Sequence, residues 1–389
     1  MPASQTSSST PAATHPASVA ASPQAGQLDT NSRRTFSERD HNDSDPDSED
    51  ERPAPKKTRR RKTESALAAA GAAAGMMGDL FRDFQAILDA GLQANAHSPA
   101  TALGYRERKY VELFAQLLGI MPSIVNEVTK HGPKGTMLVA RELEAGHQGV
   151  RGVDLHGIKK AILTWDNYEP AILPEAKSVR GFNHPMCGLL LCPVSYDWGD
   201  DVVRAGLQNR SVKYPAGSKD FMYVLWQDEK VDPENFVDGF LRNRRLIMTS
   251  RFVLLGPRAV HGLGNMAARK PKARIHRIRS ITVGFIAYTA VLVHFSLSSQ
   301  ESFSDGSTAG TFPYEEFYQS LVRYVEETML EEERTSLLTW WNIQIFGQLD
   351  EDTWSDDENT ESSRPWSVMA RMKAQAAAKV VATREGRAA

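Results

Sequence analysis

The 389-residue sequence has very little cysteine and lacks the pattern of an export signal. Two cysteines, Cys187 and Cys192, cannot build a disulfide scaffold, which fits a reducing interior. The first 28 residues carry no Lys, no Arg and no long apolar run, so they do not resemble a secretory signal. The first arginine is Arg33, whereas a mitochondrial presequence needs Arg earlier on an amphipathic face. We therefore expect a soluble intracellular protein.

Aromatic residues are nearly absent from residues 1–65, where Phe36 stands alone among Ser, Ala, Pro, Thr and charged residues. Such a segment cannot bury enough apolar surface to offset the entropy of ordering, which is ~1–2 kcal/mol per backbone residue. The sequence therefore predicts a disordered arm over 1–65 and one globular domain over 78–347. The tail over 348–389 is acidic and then Ala-rich, and is predicted to be largely disordered or a lone helix.

Long hydrophobic runs are also scarce, and the one exception is ITVGFIAYTAVLVHFSL, residues 281–297. Its 17 residues are at the lower limit for crossing a bilayer, and it contains His, Tyr, Ser and Thr. Soluble proteins routinely bury such a helix in the core. We predict a central core helix with Ser280 as its N-cap, and no membrane partner.

Hydrophobic periodicity predicts a mostly α fold. Helices are expected over 78–93, 102–119, 123–130, 154–165, 233–251, 280–297, 313–331 and 335–346. The Pro-rich stretch over 166–219 is predicted to have no regular secondary structure. The segment FMYVLW (221–226) is the best strand candidate, which leaves room for a minor strand pair.

Acidic residues are missing altogether between Gly239 and Gln300, a stretch that holds eleven basic residues. From Glu301 to Glu361 the sign inverts, with sixteen acids against two arginines. In one interpretation the acid-free window binds nucleic-acid phosphates. In the other, which the overall charge balance favours, it pairs with the domain's own acidic helix or with a protein partner. The candidate phosphate contacts are Arg269, Lys270, Lys272, Arg274, Arg277 and Arg279.

A compact basic run lies in the N-terminal arm, directly after the acidic cluster DSDPDSEDE. Its Pro-flanked setting is the accessible form that a nuclear import receptor binds, so we predict nuclear localisation, with the cytoplasm as the alternative. Ser44 and Ser48 each precede an acid by three residues, a pattern typical of acidophilic kinase sites. The residues of the predicted import signal are Lys56, Lys57, Arg59, Arg60, Arg61 and Lys62.

Signatures of known enzyme classes are missing: the sequence has no GxxxxGK[ST], no HExxH and no GxSxG. His184, Cys187 and Cys192 offer three ligands of the right type for zinc, but the alternative is that both cysteines pack in the core. The acidic turn Asp197–Asp201 could hold a divalent ion or could cap the next helix. We predict no cofactor, with zinc as the alternative.

Three separated blocks resemble a family of uncharacterised proteins from mushroom-forming fungi that share one domain of unknown function. The blocks are LTWDNYEPAILPEAKSVRGFNHPMCGLLLCP (163–193), ARIHRIRSITVGFIAY (273–288) and LLTWWNIQIF (337–346). The resemblance covers about residues 100–347 and implies a shared fold, but it brings no catalytic or binding residues.

The sequence as a whole favours a non-catalytic nuclear interaction protein, associated with nucleic acid or chromatin through the acid-free window. One alternative is a metal-binding or enzymatic domain centred on His184, Cys187 and Cys192. The other is a structural adaptor between proteins that makes no nucleic-acid contact.

Overall fold

A computed structural model describes residues 65–97 except Arg82, 104–262, 271–304 and 310–347. These residues form a mostly helical fold, as predicted, and no strand occurs among them. Extended backbone is limited there to isolated β-bridges such as Pro193–Met222 and Trp226–Phe240. The helices are α1 (Ala66–Met77), α2 (Phe84–His97), α3 (Tyr105–Ile120), α4 (Ile124–Lys130), α5 (Gly135–Ala161), α6 (Pro185–Leu191), α7 (Asp201–Gln208), α8 (Arg244–Leu255), α9 (Lys272–Ile275), α10 (Val283–Leu297), α11 (Tyr314–Arg323) and α12 (Glu331–Phe346).

The centre of the fold is α10, whose fifteen residues are all buried. Its sequence lacks Asp, Glu, Lys and Arg, so it can be surrounded on every side by α1, α5, α8 and α11. The predicted core helix is therefore confirmed. The predicted cap was wrong: the Thr282 hydroxyl, not that of Ser280, accepts the hydrogen bond from the Phe285 amide, at 3.1 Å.

Among the described residues, no single helix is both long and apolar enough to cross a bilayer. The helices α3 and α4 meet the length and composition criteria only when they are taken together, and they are bent by 97° relative to each other.

The Ala-rich helix α1 belongs to the folded body, which therefore begins near Ser65 rather than at residue 78. It lies against α5 at very short range, since an ideal Cβ on Gly146 would be 1.8 Å from the carbonyl oxygen of Ala68. A Cβ on Gly71 would be 2.0 Å from the carbonyl oxygen of Leu143. Small residues on both helices permit this contact, and the alanines and methionines that it buries contribute to the core.

The chain from residue 162 to 243 is irregular, apart from the short helices α6 and α7. The strand predicted over 221–226 is wrong, because Tyr223–Leu225 forms a 3-10 turn between two extended residues, Met222 and Trp226. The helix predicted over 233–251 begins only at Arg244, where the side chain of Asn243 accepts a hydrogen bond from the Arg245 amide at 2.9 Å.

Other helix predictions differ from the structure in their bounds. The helix predicted over 78–93 is α2, which begins at Phe84 and ends at His97. The helix predicted over 154–165 is the last part of α5, which starts at Gly135 and runs for 27 residues. The helix predicted over 313–331 is α-helical only from Tyr314 to Arg323 and then continues as a π-helical turn, Tyr324–Thr328. The following helix α12 begins at Glu331, with three glutamates in its first turn, where negative charge complements the helix dipole.

Candidate functional site

The short helix α9 and the turn that follows it carry four of the six candidate phosphate contacts. Lys272 does not point into solvent, because its ammonium forms an ion pair with Asp154 on α5. Asp154 is buried and also accepts a hydrogen bond at 3.0 Å from the Tyr288 hydroxyl on α10. Burial raises the pKa of Asp154 and the Lys272 ammonium opposes that rise. Lys272 is thus a structural anchor between α9, α5 and α10.

Arg277 and Arg279 are exposed on the segment between α9 and α10, residues 276–282, which we call the basic turn. Arg277 has φ of +54°. The turn is fixed on its inner side, because Ile278 is buried and the Ile281 amide donates a hydrogen bond at 2.8 Å to the side-chain oxygen of Asn342 on α12. Arg274 is half-buried, and Arg269 and Lys270 lie outside the described residues.

Three other arginines of the acid-free window, Arg244, Arg245 and Arg251, bond to groups of neighbouring elements. Arg244 and Arg245 both form ion pairs with Asp166, and Arg245 also pairs with Glu229. Arg251 donates two hydrogen bonds, of 2.8 and 3.0 Å, to the Gln344 carbonyl oxygen on α12. Three of the eleven cations in the window therefore hold α8 against its neighbours.

Acids of the stretch 301–361 form ion pairs with cations inside the fold. Glu326 accepts hydrogen bonds of 2.6 and 2.7 Å from Lys109 on α3. Glu316 lies 3.2 Å from the ammonium of Lys219, and Glu331 pairs with Arg334 in its own helix. The pairing that one interpretation predicted, between the basic window and the domain's own acidic helix, is not among these ion pairs.

His184, Cys187 and Cys192 form a helix cap and two core positions. His184 is the N-cap of α6: its Nδ1 accepts from the amides of Met186 and Cys187 at 3.2 and 3.4 Å. Its Nε2 then carries the proton and donates to the Pro170 carbonyl oxygen at 2.7 Å. Burial raises the pKa of the Cys187 thiol to about 11 and that of Cys192 to about 12, which disfavours the thiolate that binds zinc.

The acidic turn before α7 caps that helix, as one of the two interpretations predicted. Asp200 accepts hydrogen bonds from the Val202 and Val203 amides, at 2.7 and 3.4 Å. Asp197 accepts a bond of 2.7 Å from the Gly199 amide inside the turn. In the part of the chain that the structure describes, no three His, Cys, Asp or Glu side chains gather as a metal site. A zinc site on His184, Cys187 and Cys192 stays a prediction that metal analysis of the purified protein would test.

The N-terminal candidates lie outside the described residues. These are Ser44, Ser48 and the import signal Lys56, Lys57, Arg59, Arg60, Arg61 and Lys62. Their predicted roles rest on the sequence alone.

Two buried cations that the sequence did not single out lie at the carboxyl end of α10. Lys177 and Arg180 are 1% and 0% exposed. The Lys177 ammonium donates to the Phe295 and Ser298 carbonyl oxygens, each at 2.5 Å, and the Arg180 guanidinium donates to the Ser296 carbonyl oxygen at 2.7 Å. Cations favour this end of a helix, but no local sequence pattern shows that two of them converge there.

Comparisons with known proteins give one match. A family of unknown function, DUF6698, matches residues 145–346, which are 202 of the 389 residues. No curated protein and no solved structure is significantly similar to this sequence. The matched range contains α10, the basic turn and all three sequence blocks quoted above. Because the match spans more than half of the sequence, the chain belongs to the DUF6698 family of unknown function.

Proposed function

We propose that this protein is a non-catalytic nuclear interaction protein whose basic turn contacts nucleic-acid phosphates. The observation that carries the proposal is the exposure of Arg277 and Arg279 on a turn whose inner side is fixed by Ile278 and Ile281. Arginine forks bind phosphate oxygens well, and a fixed turn loses little entropy when it binds.

The proposed contact surface contains fewer residues than the six that the sequence suggested. Lys272 forms an ion pair with Asp154, so it stabilises the fold and is not proposed as a phosphate contact. Arg277 and Arg279 are the central contacts, and Arg269 and Lys270 are close to them in sequence. No acid occurs between Gly239 and Gln300 to repel a phosphate backbone from this stretch of chain.

Phosphate binding is tested with the full-length protein by fluorescence anisotropy on short duplex DNA and RNA across a salt series. Alanine replacements of Lys56, Lys57, Arg59, Arg60, Arg61 and Lys62 form the background, so that the basic cluster of the N-terminal arm does not contribute. Each phosphate contact adds about 0.9 to the slope of log affinity against log salt on duplex DNA, so Arg277→Ala with Arg279→Ala should lower the slope by about 2.

The matched control is Arg108→Ala with Lys134→Ala, which removes two exposed cations from other elements and should leave the slope unchanged. An equal slope for the two double variants contradicts the proposal. Binding that is absent at ~0.15 M salt instead favours the adaptor alternative, in which the partner is a protein.

Nuclear entry is tested separately with the fluorescently tagged full-length protein. Replacing the basic residues of 56–62 by alanine should move the protein to the cytoplasm, because an import receptor reads that cluster. The variant Arg277→Ala with Arg279→Ala serves as the control and should remain nuclear. Unchanged nuclear accumulation without the cluster would show that another signal directs import.

A further inference from the structure

A cavity of about 370 Å³ lies beside the carboxyl end of α10. Segments 207–222 and 298–300 form its walls, together with residues 310–313 that lead into α11 and Gly181 and Phe182 before α6. Its size is within the ~300–1,000 Å³ of typical small-molecule sites. Every lining residue lies in the range matched by the family. We call it the α10 cavity.

The walls of the α10 cavity are mostly apolar, with Leu191, Leu207, Met222 and Phe312 among them. Several polar groups at its edge are already bonded inside the protein. The Asp220 carboxylate accepts from the Gly217 amide at 2.8 Å. The Gln300 amide group accepts from the Phe312 amide at 2.9 Å and donates to the Ser302 carbonyl oxygen at 2.8 Å.

His294 lines the cavity with a ring nitrogen that has no hydrogen-bond partner among the described residues. Its Nδ1 lies 3.1 Å from the Tyr314 hydroxyl, and its ring stacks on Phe312 with centroids 3.9 Å apart. Its Nε2 forms no hydrogen bond with the described residues. Because His294 lines the cavity, a ligand there is the candidate partner for Nε2.

The tautomer of His294 follows from the bonds of its neighbours. The Ser298 hydroxyl donates to the Phe295 carbonyl oxygen at 2.9 Å, and the Tyr314 hydroxyl is closer to His294 Nδ1 than to Ser298, 3.1 against 3.5 Å. Tyr314 thus donates to Nδ1, and Nε2 carries the imidazole proton. Burial, and then the Lys177 ammonium, lower the pKa of His294 to about 3, so the ring is neutral.

Positive charge lies directly behind the cavity wall. The Lys177 ammonium is 2.5 Å from the carbonyl oxygen of Ser298, a residue that lines the cavity. Arg180, next to the lining residue Gly181, is enclosed as well, and its Nε has no hydrogen-bond partner. Among the described residues, neither cation has a carboxylate within ion-pair distance, and Glu301 is the acid whose field reaches both. Burial lowers the pKa of Lys177 to about 7 and also lowers that of Arg180, because an enclosed cation without a paired anion is costly. A nearby anion would offset that cost and favour the charged ammonium.

We propose that the α10 cavity binds a small organic carboxylate with an apolar body, whose carboxylate accepts a hydrogen bond from His294 Nε2 in the field of Lys177 and Arg180. The apolar body then lies against Leu191, Leu207 and Met222. At the rim, Arg210 and Asp220 carry opposite charges, so the cations behind the wall decide the preferred sign of the ligand.

The proposal is tested on the full-length protein with a pair of probes of equal shape, 2-naphthylacetate and 2-naphthylacetamide. Their binding is followed by naphthalene fluorescence and checked by titration calorimetry. The carboxylate should bind about ten-fold more tightly than the amide, because only it gains from the buried cations. Lys177→Met should reduce that preference without abolishing the binding of the amide.

Site specificity is tested with two equally bulky substitutions in one segment. Ala216→Phe fills the cavity that Ala216 lines and should abolish binding of both probes. Val212→Phe is the control, because Val212 is 97% exposed and lies outside the cavity lining, and it should bind both probes normally. Equal affinity for the two probes, no binding up to ~5 mM, or full binding by folded Ala216→Phe overturns the proposal.

Discussion

Alanine at Gly146 tests the helix contact that places α1 in the domain. The ideal Cβ at this position would be 1.8 Å from the Ala68 carbonyl oxygen, whereas real Cβ contacts are not shorter than 3.0 Å. The obstacle is backbone, so it cannot rotate away as a side chain could. The helix α1 must therefore move by about 1.2 Å, the difference between these two distances.

That movement disturbs a buried helix. The resulting change in the free energy of unfolding is the one expected when a methyl group is added to a packed core. Extra methyl groups in a packed core cost ~1–3 kcal/mol, and α1 buries Ala72, Ala73 and Met76 against its neighbours. Alanine also favours a helix interior over glycine by ~0.5–1 kcal/mol, which offsets part of the cost. The net effect of Gly146→Ala should be to lower the free energy of unfolding by roughly 1–2 kcal/mol.

The same helix supplies the control. A Cβ on Gly149 meets nothing within 4 Å, so Gly149→Ala should keep the helix-propensity gain and raise the free energy of unfolding by ~0.5–1 kcal/mol. Chemical denaturation followed by circular dichroism gives both values, and thermal midpoints should move in the same directions by about 2–4 °C per kcal/mol. If the two variants are equally stable, the close contact between α1 and α5 is refuted.

Three further predictions concern single side chains. Lys272→Met leaves Asp154 buried without its ion pair and should lower the free energy of unfolding by ~3–5 kcal/mol. The control Arg279→Ala, at an exposed position, should change it by less than ~0.5 kcal/mol. Equal effects of the two variants in chemical denaturation would contradict the anchoring role of Lys272. Burial, and then Arg151, lower the pKa of His147 to about 4 from an ordinary 6.5. Between pH 6.5 and pH 4, His147 therefore binds a proton in the unfolded chain but not in the folded protein. The free energy of unfolding should thus fall by up to ~3 kcal/mol as the pH drops from 6.5 to 4, and His294 adds a separate contribution. In denaturation measured at several pH values, His147→Leu should make the free energy of unfolding less dependent on pH. Asp200→Ala removes the cap of α7 and should lower the free energy of unfolding by ~1 kcal/mol. The control Asp201→Ala, at an exposed position, should lower it by no more than ~0.5 kcal/mol. Comparable decreases for the two variants in chemical denaturation would show that Asp200 is not the cap.

Glycines and helix ends show where local patterns stop being informative. Gly146 and Gly149 lie three residues apart in one helix and look alike in the sequence, but only Gly146 faces another backbone. The segment FMYVLW has strand-like composition, yet it turns at Tyr223–Leu225, because its neighbours Pro193 and Phe240 offer single bridges rather than a full strand partner.

The helical class, the buried helix α10 and the polar cap before α7 could be predicted from the sequence, because each depends on residues close together in the chain. Which cations remain exposed could not be predicted, because their partners are far away in the sequence. Lys272 is paired with Asp154 across 118 residues of sequence, and Arg245 with Asp166 across 79. The tertiary structure also brings His294, Lys177 and the 207–222 segment around one cavity. Local periodicity records which side chains are buried, but the identity of a distant partner is fixed only when the packed helices bring the two side chains together.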